Sequence, residues 1–326
     1  MKKKALYLIL VGLAQFLLLG HFAPAVAQGD YPNRPIEIII PWPAGPTADL
    51  ATRFFAEKLP EFLGQPVVPV NKPGGGGALG TKFVAGAKPD GYTLLAGGNS
   101  ALITARFELK GGGGYDLDSF QQICQWSKLA CYFSVKADSK WKTMKEVLLD
   151  AKQNPEKLRY SSLRGAVAHY AGEMLFNTAG VKLTFVPFKS SVECMTALIG
   201  GHVELAVSTG LVGMSGSPLI RPLAVADDER LFDHPDVPTL KEVGYPISMY
   251  SIVVLCGPKG IPKAVVNRLY EANRKVFEKY GDEIKAKLPK MDQYPAFADG
   301  ESVSRMVREA EKKYRGLAPQ MGIKLE

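Results

Sequence analysis

Short apolar runs alternate along the chain with segments in which apolar residues recur every three or four positions. The run Ile36–Ile40 is typical of a buried strand, and the segment Leu50–Leu63 after it has helical spacing. Asp49 stands directly before that segment and is the expected N-cap of the helix.

The same criteria predict the rest of the framework. Further strands are expected at Pro66–Val70, Tyr92–Leu95, Cys131–Val135, Leu183–Val186, Val203–Val207, Pro222–Ala226 and Ser251–Leu255. Further helices are expected at Ala78–Ala87, Met144–Gln153, His169–Thr178, Val192–Ile199 and Lys263–Tyr280. Strands that alternate with helices in this way predict parallel sheets covered by helices.

The N-terminus has the three parts of a secretory signal peptide. Three lysines precede an apolar stretch, Ala5–Gly20, and a small-residue cleavage site, Ala25–Ala27, follows it. We therefore expect residues 1–27 to be a signal peptide that is cleaved near Ala27 in a protein exported to the periplasm. The alternative, an uncleaved anchor, is disfavoured because the apolar stretch is short for a membrane span.

The composition is that of a globular protein. The net charge of +8 would suggest nucleic-acid binding if the excess basic residues formed a patch, so their location along the chain matters. Residues 28–257 carry 22 basic and 22 acidic residues, and the excess lies in residues 258–326, with 15 basic and 10 acidic residues. There the two signs are mixed along predicted helices, which is typical of solvated helix faces. We expect no nucleic-acid partner.

A glycine-rich turn follows the second predicted strand. Gly75, Gly77 and Gly80 match the dinucleotide fingerprint G-x-G-x-x-G, but the acidic residue expected after the next strand is missing. We expect no cofactor. Glycines at the start of a helix nevertheless let backbone N–H groups approach an anion, and the loop Pro43–Asp49 has the same position after a strand.

No motif indicates a metal site or a catalytic site. His169, His202 and His234 are not spaced as metal ligands, and no nucleophile motif is complete. Cys124 and Cys131 would form a disulfide only if a hairpin separated them, which leaves that pairing open. We expect Cys194 and Cys256 to be reduced and buried.

The loops, taken in order, resemble the substrate-binding proteins of tripartite tricarboxylate transporters, the Bug family. The matching segments are Tyr31–Ile36, Pro43–Asp49, Leu63–Val68, Asn71–Gly77, Lys88–Leu94, Val186–Lys189, Gly200–Glu204 and Asp236–Thr239.

This resemblance implies an α/β fold of the type II periplasmic binding protein kind, with two doubly wound sheets and a ligand cleft between them. Lobe 1 is expected to comprise residues 28–127 plus 250–326, and lobe 2 residues 128–249. Carried over by position, the ligand-binding residues are Ala44, Gly45, Thr47, Asp49, Gly76, Gly77, Ala78, Ser162, Arg164, Gly165, Ala166, His169, Phe188, Lys189 and Ser208. Trp42 lies beside the first loop and would pack against a ligand or belong to the core.

The departures from the family pattern concern hydrogen-bond donors and charge. Pro46 stands where many relatives have a glycine, which removes a possible N–H donor. Ser208 stands where many relatives have an aspartate, which disfavours ligands with an ammonium group. Arg164 is an addition, and it would either pair with a second carboxylate or lie on the surface.

The resemblance implies a monomeric, non-enzymatic protein that captures a small mono-, di- or tricarboxylate by lobe closure and delivers it to membrane permease subunits. The alternatives are a sensor that presents its closed form to a receptor and, less favoured, a hydrolase or lyase on the same scaffold.

Overall fold

The structure, a computed structural model, describes residues 31–45, 47–107, 109–211, 217–323 and 325. The predicted signal peptide and Pro46 lie outside the described residues. Within these ranges no helix is both long enough and apolar enough to cross a membrane.

Ten strands lie in the described ranges. They are β1 (Ile36–Ile40), β2 (Val67–Asn71), β3 (Thr93–Gly97), β4 (Phe120–Lys136), β5 (Arg159–Leu163), β6 (Thr184–Phe188), β7 (Leu205–Thr209), β8 (Ile220–Val225), β9 (Tyr250–Pro258) and β10 (Tyr294–Asp299). The α-helices are α1 (Thr47–Lys58), α2 (Pro60–Leu63), α3 (Ala78–Ala85), α4 (Ala105–Phe107), α5 (Met144–Gln153), α6 (Val167–Ala179), α7 (Ser191–Ile199), α8 (Leu240–Val243), α9 (Lys263–Lys287) and α10 (Gly300–Leu317). A π-helical turn, Ser100–Thr104, precedes α4.

The strands form one curled sheet in the order β2-β1-β3-β9-β4-β7-β5-β6, with β8 and β10 also paired to β4. Strands β1, β2 and β3 run parallel and build lobe 1, whereas β5, β6 and β7 run parallel and build lobe 2. The long strand β4 passes through both, and β9 pairs antiparallel with β3 and β4. The protein is therefore a two-lobed α/β structure whose lobes share a strand.

The strand directions bring the carboxyl ends of the two parallel sets toward each other. Both β3 and β4 are antiparallel to β9, so β3 runs in the same direction as β4, whereas β7 runs against β4. By register, β3 ends level with Gln125 of β4 and β7 ends level with Cys131. In open α/β sheets, ligands bind beyond the carboxyl ends of the strands. Here that position lies between the lobes.

Hydrophobic packing covers both faces of the sheet. One cluster, which includes Leu95, Phe133 and Tyr314, runs along one face through both lobes. The opposite face carries separate clusters, one around Trp126 in lobe 1 and one around Tyr132 in lobe 2. The lobes are thus joined by a shared core as well as by strands.

Two predicted helices differ in extent from the helices of the structure. The predicted helix Leu50–Leu63 is wrong as a single helix, because it divides into α1 and α2 at Pro60, which has no N–H to continue the ladder. Helix α9 runs beyond its predicted end to Lys287, and Tyr280, where the prediction stopped, has non-helical dihedrals (φ −108°, ψ 19°).

The predicted strand Cys131–Val135 is only the last part of β4. The earlier part was missed because Gln122, Gln125 and Ser127 interrupt the apolar pattern, although all three are buried. Strand β5 was missed for the same reason, since its sequence is largely polar.

All four cysteines are buried thiols. Cys124 and Cys131 lie on the one continuous strand β4, so the hairpin that a disulfide between them requires is absent from this described segment. The expectation that Cys194 and Cys256 are reduced and buried is confirmed. Burial raises the pKa of the Cys194 thiol to about 12, which keeps it protonated and unreactive.

Candidate functional site

The residues predicted to bind ligand lie in or next to the loops at the converging carboxyl ends of the parallel strands. Lobe 1 contributes the β1–α1 loop and the glycine turn before α3, and lobe 2 contributes the β5–α6 loop, the β6–α7 loop and the end of β7. Lobe 1 carries Trp42, Ala44, Gly45, Thr47, Asp49, Gly76, Gly77 and Ala78; lobe 2 carries Ser162, Arg164, Gly165, Ala166, His169, Phe188, Lys189 and Ser208. Their contact with a ligand remains a prediction.

Asp49 organises the lobe 1 loops through a buried carboxylate. Its Oδ2 accepts hydrogen bonds from the backbone N–H of Gly45 (3.0 Å) and from Nε of Arg53 (3.0 Å). Its Oδ1 accepts a hydrogen bond from Nδ2 of Asn71 (2.9 Å), which also donates to the carbonyl of Trp42 (3.0 Å). The carboxylate therefore ties the β1–α1 loop to the end of β2.

These contacts correct the expected role of Asp49. It is not the N-cap, because α1 begins two residues earlier at Thr47. Burial alone would raise the pKa of Asp49, but the hydrogen bonds from Arg53, Gly45 and Asn71 outweigh it and hold this pKa below its ordinary value. The Gly45 N–H, which the resemblance offered to a ligand, is donated to Asp49 in this structure.

The glycine turn before α3 needs glycine at each of its four positions. Gly74, Gly75, Gly76 and Gly77 all have positive φ, a region that residues with a Cβ rarely adopt. A Cβ on Gly77 would also lie 3.4 Å from Nε1 of Trp42, so the indole packs directly against this backbone. The turn thus presents bare backbone at the start of α3.

The β5–α6 loop of lobe 2 is shaped by a buried imidazole. The N–H of Gly165 (φ 69°) donates to Nδ1 of His169 at 3.2 Å, and the imidazole stacks on Phe185 with ring centroids 4.0 Å apart. Ala166 caps α6 without a side-chain hydrogen bond. Ser162, at the end of β5, has a fully buried hydroxyl for which the described residues supply no hydrogen-bond partner.

The other lobe 2 candidates differ in their availability to a ligand. Phe188 is half-buried, and the Lys189 side chain is exposed. The Ser208 hydroxyl donates to the carbonyl of Gly210 at 2.8 Å, so it is engaged within its own loop. Arg164 is exposed, and its guanidinium carbon lies 5.3 Å from the centroid of the Phe185 ring.

Sequence comparison identifies the family to which this two-lobed chain belongs. The family model described as "Tripartite tricarboxylate transporter family receptor" (TctC) matches residues 51–323. The chain belongs to this receptor family.

Proteins similar to this chain in sequence or in structure match it over about nine tenths of its length. The "UPF0065 protein in gbd 5'region" of Cupriavidus necator is 32% identical over 306 residues, which cover 92% of this chain and 91% of that protein. The crystal structure of a TctC solute-binding protein from Polaromonas, without ligand, has a TM-score of 0.75 at 29% identity and covers 89% of this chain and 99% of its own. The R. palustris protein Rpa4515, solved with adipate, has a TM-score of 0.79 at 25% identity and covers 90% of this chain and 99% of its own.

Membership of the TctC family makes this protein a periplasmic solute-binding receptor. Its relatives are transport-associated binding proteins. Among the described residues, no group of three or more His, Cys, Asp or Glu side chains is placed to hold a metal ion.

Two side chains that shape the receptor's loops were missed from sequence. Asn71 and Arg53 complete the network around Asp49, and Arg53 Nη2 also donates to Asn71 Oδ1 at 2.7 Å. An asparagine directly after the predicted strand Pro66–Val70, in a family motif, was the available signal for Asn71. Arg53 follows Asp49 by four residues on α1, the spacing of a helical ion pair.

A cavity of about 90 Å³ lies apart from these loops, between the start of β9 and α10. Its lining includes Asn99, Tyr250, Met306 and Tyr314, and none of the predicted ligand-binding residues. Asn99 Nδ2 donates to the carbonyl of Tyr250 (3.0 Å) and to the hydroxyl of Tyr314 (3.1 Å), so the residue links β3, β9 and α10.

His169 is expected to make the receptor lose stability as the pH falls below neutral. Burial, with a smaller contribution from the charge of Arg164, lowers the pKa of His169 to about 4. The unfolded chain, with an ordinary pKa near 6.5, then binds more protons than the folded chain between these values, so stability falls as the pH decreases. From pH 7 to pH 5 this amounts to about 2 kcal/mol.

The measurement is urea unfolding of the wild type and of His169→Asn at both pH values. Asparagine keeps an acceptor for the Gly165 N–H but has no titratable group in this range. The wild type should lose about 2 kcal/mol more than the variant. Equal losses would mean that the imidazole accepts a proton within the folded protein.

Proposed function

We propose that this receptor captures a small organic carboxylate by closing its two lobes around it and delivers it to the membrane subunits of a tripartite transporter. The observation that carries the proposal is the convergence of the two sets of strand ends over Gln125–Cys131. It supports a ligand between the lobes, because the loops expected to receive an anion follow these strand ends in both lobes. The R. palustris protein solved with adipate supports a carboxylate as the ligand.

Helix capping supports the choice of an anion. The first turns of α5, α7 and α10 receive side-chain caps from Thr143, Ser190 and Asp299. The caps of α3 and α6, Gly77 and Ala166, provide no side-chain hydrogen bond. Helices α2 and α9 also begin without a side-chain cap. Helices α3 and α6 differ from them because they follow carboxyl ends of parallel strands, one in each lobe, and the positive end of a helix dipole favours a carboxylate there.

Closure requires a hinge in the strands that join the lobes. β4 changes partner from β9 at Ala130 to β7 at Cys131, and β9 begins opposite Ala130. We place the hinge there, three residues after the boundary that the sequence predicts between lobe 1 (residues 28–127 plus 250–326) and lobe 2 (residues 128–249). A ligand that contacts both lobes stabilises the closed form by its differential affinity for that form.

We further propose that the signal peptide is removed near Ala27 and that the receptor acts as a monomer. N-terminal sequencing of the exported protein and sedimentation equilibrium test these two points.

The function is tested by mass spectrometry of small molecules that co-purify, followed by thermal melting of the stripped receptor with mono-, di- and tricarboxylates. A cognate ligand at 100 times its dissociation constant should add about 2.7 kcal/mol of stability. X-ray scattering should record a smaller radius of gyration for the same sample if the lobes close. Adipamide, the neutral diamide of adipate, is the matched control for charge.

The absence of a melting shift with every carboxylate tested would contradict the proposal. A melting shift without compaction would leave carboxylate binding in place and contradict lobe closure.

A further inference from the structure

The cavity between the start of β9 and α10 is large enough for a small organic molecule. Its volume is about 90 Å³, whereas a single buried water needs only about 10–15 Å³. Its lining, within the described ranges, includes none of the residues predicted to bind the carboxylate. A molecule in this cavity would therefore occupy a second site, separate from the loops at the strand ends.

The walls of this cavity belong to both sides of the proposed hinge. Met249 belongs to lobe 2, and its N–H donates to the carbonyl of Ala226 at 2.9 Å. Asn99 and α10 belong to lobe 1. Tyr250, between them, lies opposite Ala130, where the hinge is placed. A rotation of the lobes about this point would change the separation of the walls.

Apolar and aromatic residues make up much of the lining. Met249, Ile252 and Met306 lie there together with Tyr250 and Tyr314. Methionine is flexible enough to adapt to the shape of a guest, and its sulfur makes favourable contacts with aromatic rings. These walls therefore favour an aromatic ring as the body of the ligand.

One buried acceptor in the wall lacks a donor. Asn99 is 5% exposed, and its Nδ2 donates to the carbonyl of Tyr250 and to the hydroxyl of Tyr314. The residues that the structure describes supply no hydrogen-bond partner for its Oδ1. Because an unpaired buried acceptor costs free energy, a ligand with a hydroxyl donor gains a hydrogen bond that those residues leave unmade.

The exposed part of the lining carries no net charge. Glu309 and Lys313 have opposite charges and lie one turn apart on α10. Neither a carboxylate nor an ammonium group gains a net attraction from this pair, since one partner repels what the other attracts. The cavity thus favours a neutral ligand, unlike the loops at the strand ends.

We propose that this cavity binds a small neutral phenol, and that its occupancy is coupled to the arrangement of the lobes. A ligand whose walls move on closure binds one arrangement more tightly and shifts the population toward it. The phenol and the carboxylate then change each other's affinity by the same factor. The coupling rests on the proposed lobe closure, whereas the site itself does not.

The site is tested with phenol itself, by calorimetry and by NMR of the methionine methyl groups of the wild type. We expect a dissociation constant of about 1 mM and shifts of the Met249 and Met306 resonances, with Met144 of lobe 2 unchanged. Anisole, the methyl ether of phenol, keeps the ring and lacks the donor, so it should bind at least about fivefold more weakly.

Ala310→Phe fills the cavity from α10 and should weaken phenol binding at least about tenfold. The matched control is Ala264→Phe, which makes the same change at an exposed position of α9 and should bind phenol as the wild type does. Unshifted Met249 and Met306 resonances, or undiminished binding by a folded Ala310→Phe protein, would overturn the site. Equal binding of anisole would remove the hydroxyl donor from the assignment.

The coupling is tested by titrating adipate with and without saturating phenol. We expect the adipate affinity to change about fivefold or more, and the phenol affinity to change by the same factor when adipate is present. Unchanged affinities, together with an unchanged radius of gyration in X-ray scattering, would overturn the coupling. A receptor that binds phenol but no carboxylate would contradict the proposed function and leave this site standing.

Discussion

Replacing Asp49 by Ala is expected to lower the free energy of unfolding by about 3 kcal/mol and to weaken carboxylate binding by at least about tenfold. The substitution removes the charged acceptor of the Gly45 N–H and of one Asn71 amide N–H, and a hydrogen bond to a charged group contributes about 1.5–3 kcal/mol. The Asn71 amide keeps its second acceptor, the Trp42 carbonyl. Arg53 is half-exposed and can be solvated, so it adds less.

Binding suffers because Asp49 fixes the β1–α1 loop against the end of β2, from which the chain enters the glycine turn, before any ligand arrives. Without that connection, the ligand must supply the free energy that orders them, and each 1.4 kcal/mol so used lowers affinity by about tenfold. Glycine adopts positive and negative φ about equally well, so the positive φ values of Gly74–Gly77 are fixed by contacts with the surrounding residues and not by the glycines themselves.

Urea unfolding and calorimetry on the same preparations check both effects. Asp49→Asn should be nearly as damaging, because its NH₂ group would face donors in place of an acceptor. Asp138→Ala removes an exposed carboxylate paired with Lys136 and should change stability by less than about 1 kcal/mol. If the Asp49→Ala protein is less stable but binds the carboxylate with wild-type affinity, Asp49 contributes to folding and not to binding.

The loops at the strand ends were predictable because their chemistry is local. Glycines with positive φ before α3 and a proline-rich turn after β1 mark the ends of strands in the sequence itself. Helix α5 was predicted with its observed bounds, since Thr143 caps its first turn and an amphipathic pattern follows.

The network around Asp49 was not predictable from the same information. Asp49 and Asn71 are 22 residues apart, and their contact depends on the parallel pairing of β1 and β2. Local propensity favoured the commonest role of an aspartate at the start of a helix, the N-cap, whereas tertiary contacts gave Asp49 another.

The first part of β4 was missed for a related reason. Gln122, Gln125 and Ser127 are polar in sequence but buried in the structure, where β9 and β10 flank β4 within the sheet and helices α9 and α10 pack against it. Ser127 is hydrogen-bonded to Gln293, a partner that is 166 residues away along the chain. A pattern based on polarity alone cannot identify polar residues whose partners come from distant elements.

Replacing Gly98 by Ala is expected to destabilise the receptor by about 3 kcal/mol or more, the upper end of the cost of overpacking. A Cβ at this position would lie 2.1 Å from the carbonyl oxygen of Ile252. That oxygen belongs to the backbone of β9, so it can move only if the strand moves. Asn99, the next residue, donates to the carbonyl of Tyr250, and a shift of β9 would strain this bond as well.

Gly316→Ala is the matched control, because a Cβ there meets no atom within 4 Å and the residue lies inside α10. Alanine should stabilise that helix by about 0.5–1 kcal/mol. The two variants make the same chemical change, so opposite signs in urea unfolding would isolate the effect of the strand contact. Because β9 is one of the strands that join the lobes, Gly98→Ala should also alter ligand-induced compaction in X-ray scattering. A Gly98→Ala protein as stable as the wild type would mean that β3 and β9 separate at this point at little cost, which would place part of the hinge in that contact.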